Sequence, residues 1–243
     1  MYSFGSGVLL GTRTDIPNAT PINFGLVQEV TIEESASVKE LTGQFQYPLA
    51  IGRGAIKTTG KAKVARISGL AFANLFYGVT PSAGQVATAF GEYHVIPSSA
   101  TVSAQNASNF AGDNGVVYAT TGLPLTKVAT NPLVGEYAVA GGAYTFNAED
   151  ANNAVLLTYT YTISGAGQNF NIANQLLGTT PTFQAQFYTT FQGQAVSLKL
   201  NACTSTKLSF QTKLEDFVTP EFDFSCFADP SGNVMSWSFS EVS

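Results

Sequence analysis

Apolar and polar residues alternate over several long stretches of the chain, which is the period expected of strands with one buried face. In the first third, the stretches 23–34, 38–51 and 55–67 each have this character. The second of them also contains Gly43 and Pro48, which weaken a strand. The pattern predicts a long antiparallel meander of three strands.

One short amphipathic helix is predicted directly after these strands. Ser68 is a suitable N-cap, Gly78 a suitable terminator, and apolar residues recur between them at helical spacing. We expect Leu70 and Phe76 to seat this helix on the sheet. A second helix of one or two turns is predicted over residues 171–178, NIANQLLG.

The middle of the chain differs from both ends. Residues 91–164 contain short strand-like runs separated by Gly, Asn and Pro at intervals typical of a small β-sandwich. Long alternating runs return in residues 165–243, around Phe183–Phe191, Val196–Leu200, Phe222–Cys226 and Trp237–Phe239. The sequence therefore predicts an all-β protein with one short helix, whose core comprises residues 23–90 and 165–243 and carries an inserted β-sandwich at 91–164.

Residues 1–22 are rich in Gly and Pro around one apolar patch, Val8, Leu9 and Leu10. This composition predicts an arm that becomes ordered only against a partner. A frayed terminus is the alternative interpretation.

Charge is scarce, since only 11% of the 243 residues are charged and the net charge is −5. Ordinary globular domains carry about 25% charged residues, so we expect much of the surface to be covered by other subunits. The acidic balance argues against general nucleic-acid binding. No apolar run approaches a membrane span, and the N-terminus has no signal-peptide pattern, so we expect a protein made and kept in the cytoplasm.

Candidate chemistry is sparse, and we expect no enzyme activity, cofactor or metal. His94 is the single histidine and no GxSxG elbow accompanies it. The carboxylate pairs are adjacent in sequence, so on strands they point to opposite faces. Cys203 and Cys226 lack metal-ligand spacing, and reduced, core-facing thiols are favoured over a disulfide. Asp229–Asn233 is expected to be a hairpin turn.

One charge feature suggests a contact between subunits. Between Leu41 and Gly91 every charged residue is basic, while acidic residues cluster at 29–40 and 215–229. Opposite patches of this kind guide the orientation of subunits. A solvated strand face is the alternative. The candidate contact residues are Val8, Leu9, Leu10, Arg53, Lys57, Lys61, Lys63, Glu215 and Asp216.

The order of motifs in residues 24–78 resembles the tail tube proteins, or major tail proteins, of tailed bacteriophages. The matching pieces are Lys39–Gly43 (KELTG), Tyr47–Pro48, Arg53–Gly54, Gly60–Lys63 (GKAK) and Phe76–Gly78 (FYG). The final third is similar to the closing half of the same proteins. The inserted segment departs from the minimal pattern and looks like a β-sandwich module of phage structural proteins.

The resemblance implies a tail-tube-type β-sandwich or barrel that stacks as hexameric rings around a lumen. Its implied partners are further copies of the chain, a tape-measure protein, and tail completion or baseplate proteins, with DNA passing through unbound. The implied location is the virion tail, assembled in the host cytoplasm. Alternative functions are an adhesive or carbohydrate-binding β-sandwich and the tube of a bacterial contractile injection system.

Overall fold

A computed structural model describes residues 5–66, 68–212 and 214–240, and they form two compact units. The first unit comprises residues 1–81 and 170–243, and the second comprises residues 82–169. Strands dominate both units, and one short helix lies in the first. The prediction of an all-β protein with one short helix is confirmed.

The strands differ widely in length, from two residues to sixteen. Before the second unit they are β1 Val8–Arg13, β2 Ile22–Asn23, β3 Val27–Leu41 and β4 Ala50–Val64. The second unit contains β5 Ser82–Val95, β6 Thr101–Ser103, β7 Phe110–Tyr118, β8 Thr126–Lys127, β9 Glu136–Ala140, β10 Ala143–Phe146 and β11 Ala154–Asn169. The first unit resumes with β12 Thr182–Phe191, β13 Gln194–Ser209, β14 Glu221–Phe227 and β15 Met235–Phe239.

The first unit is built on one eight-stranded antiparallel sheet in the order β2-β1-β12-β13-β14-β4-β3, with β15 also paired to β13. Within the described residues this sheet is open, with β2 and β3 as its outer strands, so it does not form the closed barrel that was one predicted form. Its core forms because apolar side chains occupy alternate strand positions. In β14, for example, Phe222 and Phe224 are buried while Glu221 and Asp223 lie on the other face.

The stretches 23–34 and 38–51, predicted as the first two strands, form one longer strand followed by a loop. Strand β3 continues from Val27 through a bulge between Ala36 and Val38, and residues 42–49 connect it to β4. The expected three-strand meander is therefore a single hairpin of two fifteen-residue strands. Gly43 and Pro48, which made the 38–51 stretch a poor strand, lie in the connection.

The predicted helix begins where expected, because the Ser68 hydroxyl accepts a hydrogen bond from the backbone N–H of Ala71 at 3.2 Å. After Gly69–Ala71 (α1) the chain widens into a π-helical turn, Phe72–Phe76, whose five-residue spacing shifts the buried face. Leu75 is fully buried and Leu70 is 38% exposed. The prediction that Leu70 seats the helix was wrong, while Phe76 does pack at the edge of the core.

Residues 8–13 of the N-terminal segment are part of the sheet, so the predicted arm and the frayed terminus were both wrong there, while residues 1–4 lie outside the described residues. Strand β1 pairs antiparallel with β12 over its whole length, and Leu9 is fully buried. Gly11 faces Leu75, and a Cβ at this position would lie 2.6 Å from the Leu75 Cδ1 atom. The glycine that suggested disorder is required by close packing against the helical segment.

Two other predictions in the first unit were wrong. Residues 171–178 contain a turn and no helix. Residues 228–234 are not a hairpin, because β15 follows β14 along the same edge of β13, with Phe227 opposite Ala202 and Met235 opposite Leu200. The Asp229 side chain organises this bulging turn by accepting backbone hydrogen bonds from Ser231 and Asn233.

The second unit packs a three-stranded sheet, β5-β11-β7, and a four-stranded sheet, β6-β10-β9-β8, around its own core. It extends over residues 82–169, beyond the predicted 91–164. The reason is that β5 and β11, its two longest strands, remain paired as far as the start of β5 and the end of β11, where Ser82 lies opposite Asn169. Its core contains fully buried tyrosines, among them Tyr144 and Tyr159, whose hydroxyls reach carboxylates.

Candidate functional site

The outer half of the β3–β4 hairpin, residues 35–57, is here called the distal hairpin. Of these residues only Ala36 and Pro48 are half-buried, and all the others are exposed. The adjoining half of β4 is different, because alternate residues from Thr58 to Val64 are buried against the sheet. The distal hairpin is thus a two-stranded projection of roughly 25 Å, given about 3.4 Å per residue.

The exposed side chains of the distal hairpin are unusually apolar. Seven large apolar residues on it are more than half exposed, and they are Val38, Leu41, Phe45, Tyr47, Leu49, Ile51 and Ile56. Single exposed apolar residues are normal, but a contiguous group is typical of an interaction site. Four of the seven lie in or beside the connecting loop, where a free hairpin turn would be polar.

Backbone pairing holds the distal hairpin in shape, with one added hydrogen bond from the Ser37 hydroxyl to the Ala55 carbonyl at 3.3 Å. Its ladder runs from Ser35 opposite Lys57 to Leu41 opposite Ala50, and the N–H of Leu49 donates to the carbonyl of Leu41 at 2.7 Å. An isolated two-stranded hairpin is marginally stable in water because it buries too little apolar surface. This one needs either another surface to cover it or the support of its inner half.

Two connecting segments of the same unit also expose large apolar side chains. They follow residue 169 and residue 209, and their exposed apolar residues are Ile172, Leu176, Leu177, Phe210, Leu214 and Phe217. Neither segment forms a regular strand or helix in the described residues. The exposed apolar side chains of the first unit therefore extend beyond the distal hairpin.

The inner half of the hairpin has a polar face in which acids and bases alternate between strands. Lys63 lies between Glu29 and Glu221, and its ammonium donates to Glu29 at 2.6 Å. Lys61 pairs with Glu221 at 2.9 Å. The hydrogen bond from Lys63 lowers the pKa of Glu29, and the one from Lys61 lowers the pKa of Glu221.

The structure places the candidate basic residues on two parts of the hairpin and the candidate acids in the segment before β14. Lys61 and Lys63 lie on the polar inner face with acids of the same chain, and Asp216 lines a polar cleft of about 300 Å³ with Lys63. Both lysines are therefore paired with carboxylates of their own subunit. Arg53 lies on the distal hairpin, 3.5 Å from a Glu34 oxygen.

The remaining candidate residues are distributed differently. Lys57 is exposed at the base of the distal hairpin, opposite Ser35, and Glu215 is exposed in the segment before β14. Of the apolar trio, Val8 is exposed, Leu10 is half-buried and Leu9 belongs to the core. Leu9 is thus unavailable as a contact between subunits.

The apolar residues of the distal hairpin were missed as candidates, since the stretches 38–51 and 55–67 that contain them were both predicted as strands of the meander. One signal could have identified them. Phe45 and Tyr47 stand between Gly43 and Pro48, where two strand-breaking residues favour a loop. Apolar residues in a loop are more informative about binding than apolar residues in a strand.

The single histidine, His94, lies beside a carboxylate in the second unit. His94 Nε2 lies 2.6 Å from Glu92 Oε1, and Glu92 also accepts hydrogen bonds from the Tyr159 hydroxyl and the Gln105 backbone. In residues 5–66, 68–212 and 214–240, no three His, Cys, Asp or Glu residues are grouped to hold a metal ion. Within the same ranges, no helix has both the length and the apolar character needed to cross a membrane.

Comparison with known proteins adds no family assignment. A scan against protein-family models and a search of curated proteins both found no match to this chain.

Proposed function

We propose that this chain is the subunit of a bacteriophage tail tube, which self-assembles into stacked rings and provides the conduit for DNA. The observation that carries the proposal is the distal hairpin, with seven large apolar residues more than half exposed on a projection with almost no burial of its own. Covering such a projection with a second subunit offsets the cost of exposing it to water. The ordered motifs of residues 24–78 support the same function.

The charge distribution supports passage of DNA without retention. Lys61 and Lys63 are the bases that could hold phosphates on the inner face, and both are paired with carboxylates of their own chain. The net charge of −5 adds a long-range repulsion toward a polyanion. A tube of such subunits would bind neither DNA nor a tape-measure protein through bulk positive charge. Its place is the virion tail, with assembly in the host cytoplasm.

Sedimentation velocity of two matched double variants tests the role of the distal hairpin. Phe45→Ser with Tyr47→Ser removes two exposed aromatic residues from the hairpin, and Phe90→Ser with Tyr93→Ser removes two from the second unit. We expect the first variant to sediment as a folded monomer at concentrations where wild type and the second variant assemble. Assembly of the hairpin variant at wild-type concentrations would contradict the proposal.

A second candidate function rests on one observation. Trp237 and Phe239 form an exposed pair of nearly parallel rings, with centroids 5.7 Å apart and an interplanar angle of 5°. Exposed aromatic rings of this kind suit carbohydrate binding in an adhesive β-sandwich. A glycan array that detects a saturable ligand, lost in Trp237→Ala, would favour this function. An empty array favours the tube, and neighbouring genes would separate a phage tail from a contractile injection system.

A further inference from the structure

Cys203 and Cys226 are directly opposite each other on the neighbouring antiparallel strands β13 and β14. Their Sγ atoms are 3.1 Å apart. Opposed residues of antiparallel strands have Cα atoms about 4.5–5.5 Å apart, which lies within the range of about 4.4–6.8 Å found in disulfides. Closing the bond requires the sulfurs to approach to about 2.05 Å, a movement that side-chain rotation can supply.

We propose that Cys203 and Cys226 are a redox modification site, at which two thiols of the folded subunit close an intramolecular disulfide when they react with a small-molecule disulfide. The pair contains both cysteines of the chain. The bond would join β13 to β14 in the middle of the large sheet, next to the base of the hairpin.

The two thiols have different access to solvent, which fixes the order of the reaction. Cys203 is fully buried, whereas Cys226 is half-buried and lines an open cleft of about 670 Å³ together with Ile56 and Met235. With the Cys203 thiol as donor, the hydrogen bond between the sulfurs raises the pKa of Cys203 and lowers that of Cys226. Cys226 is therefore the attacking thiolate.

The exchange balances with a small disulfide as the only oxidant. The Cys226 thiolate attacks one sulfur of the small disulfide, forms a mixed disulfide and releases one small thiolate. Cys203 then loses its proton to that thiolate and attacks the Cys226 sulfur, which releases the second small thiolate. Two protein thiols are oxidised, and one small disulfide is reduced to two thiols.

The timing of this reaction rests on the proposed function. A subunit that assembles in a reducing cytoplasm keeps both thiols, and a particle released by lysis meets an oxidising medium. A disulfide formed at that point would constrain the sheet of every subunit after assembly is complete. Formation of the bond itself depends only on the geometry of the single chain.

A neutral probe is the right oxidant for the test, because Glu34 also lines the cleft and would repel an anionic one. The folded protein is treated with hydroxyethyl disulfide at mildly alkaline pH, quenched with acid and digested with trypsin without reduction. We expect the intact chain to lose about 2 Da, and the peptides 200–207 and 214–243 to be recovered as one disulfide-linked species. We also expect the melting temperature to rise by about 5–10 °C.

Single variants test the order of attack. Cys203→Ser should retain a stable hydroxyethyl adduct on Cys226, and Cys226→Ser should acquire little adduct because Cys203 is buried. The peptide map of the wild-type chain still tests the proposal if a variant fails to fold. A lasting adduct on wild-type Cys226, a disulfide between two chains, or two unreacted thiols would overturn the proposal. Assembly in a reducing buffer is scored separately, so failure here leaves the tube proposal intact.

Discussion

At the scale of single residues, the second unit is held by carboxylates that accept hydrogen bonds from tyrosine hydroxyls. Asp113 accepts from Tyr137 at 2.8 Å and from Tyr144 at 3.1 Å, and Asp150 accepts from Tyr118 at 2.8 Å. Each hydroxyl belongs to a ring that is largely buried, so an unpaired partner would be costly. These contacts give a small domain a single arrangement of its core.

Asp113 makes this unit sensitive to acid. Burial opposes its ionisation, but hydrogen bonds from Lys127, Tyr137, Tyr144 and the Gly115 backbone outweigh that effect and lower the pKa of Asp113. Because the pKa of Asp113 is lower in the folded chain than in the unfolded chain, its carboxylate stabilises the fold at pH values above about 4, the ordinary pKa of aspartate. This stabilisation is lost as the pH falls through the pKa of Asp113 in the folded chain.

We therefore expect Asp113→Asn to lower the free energy of unfolding of the second unit by about 2 kcal/mol at neutral pH. Thermal melts of wild type and variant between pH 7 and pH 3 provide the measurement. The gap between the two should narrow below about pH 4, as the wild-type carboxylate becomes protonated. A gap that stays constant over this range would show that the charge of Asp113 is not what stabilises the unit.

Leu75 seats the helical segment on the core of the first unit. It is fully buried, and its carbonyl accepts a hydrogen bond from the Ser205 hydroxyl at 2.6 Å. We expect Leu75→Ala to lower the free energy of unfolding by about 3 kcal/mol, because it leaves a cavity. The matched control is Leu70→Ala, which should cost less than about 1 kcal/mol since Leu70 is 38% exposed. Equal losses in chemical denaturation would refute this assignment.

At the scale of elements, alternation predicted strands well where one face is buried. It identified β12, β13 and β14, and it placed Lys57, Lys61 and Lys63 on one face of β4, because such strands have only one way to bury their apolar side chains. It failed for β3, whose outer half contacts no core and follows no burial pattern. Helical spacing predicted the helix correctly but assigned Leu70 to its buried face, because a π-helical turn changes the period within five residues.

Long-range packing was the other element-scale feature that the sequence could not supply. Gly60 lies on β4 under the Phe224 ring of β14, and a Cβ at Gly60 would overlap that ring. A local pattern cannot distinguish this glycine from Gly52 on the same strand, where the nearest atom to a Cβ is 3.9 Å away. The partner lies more than 160 residues further along the chain.

Gly60→Ala should consequently lower the free energy of unfolding by about 2–3 kcal/mol, since the ring or the strand must move. Gly52→Ala changes the same chemistry on the same strand and should stay within about 0.5 kcal/mol of wild type. Urea denaturation of both variants measures the difference. If the two substitutions prove equally tolerated, β4 and β14 do not approach as closely as described.

At the scale of the whole molecule, the low content of charged residues and the exposed apolar residues both favour association with another protein surface. Only 11% of residues are charged, and the first unit exposes large apolar side chains on the distal hairpin and on two connecting segments. A monomer with this surface would be prone to associate. The candidate charged contacts were only a partial guide to it, because salt bridges within the chain satisfy Lys61 and Lys63.

Electron microscopy of the purified wild-type chain at rising concentration tests self-assembly most directly. Negatively stained samples in a reducing buffer should show rings first and then stacked rings or tubes of constant diameter. Particles that remain monomeric at every concentration and salt condition, with the distal hairpin uncovered, would contradict the central claim.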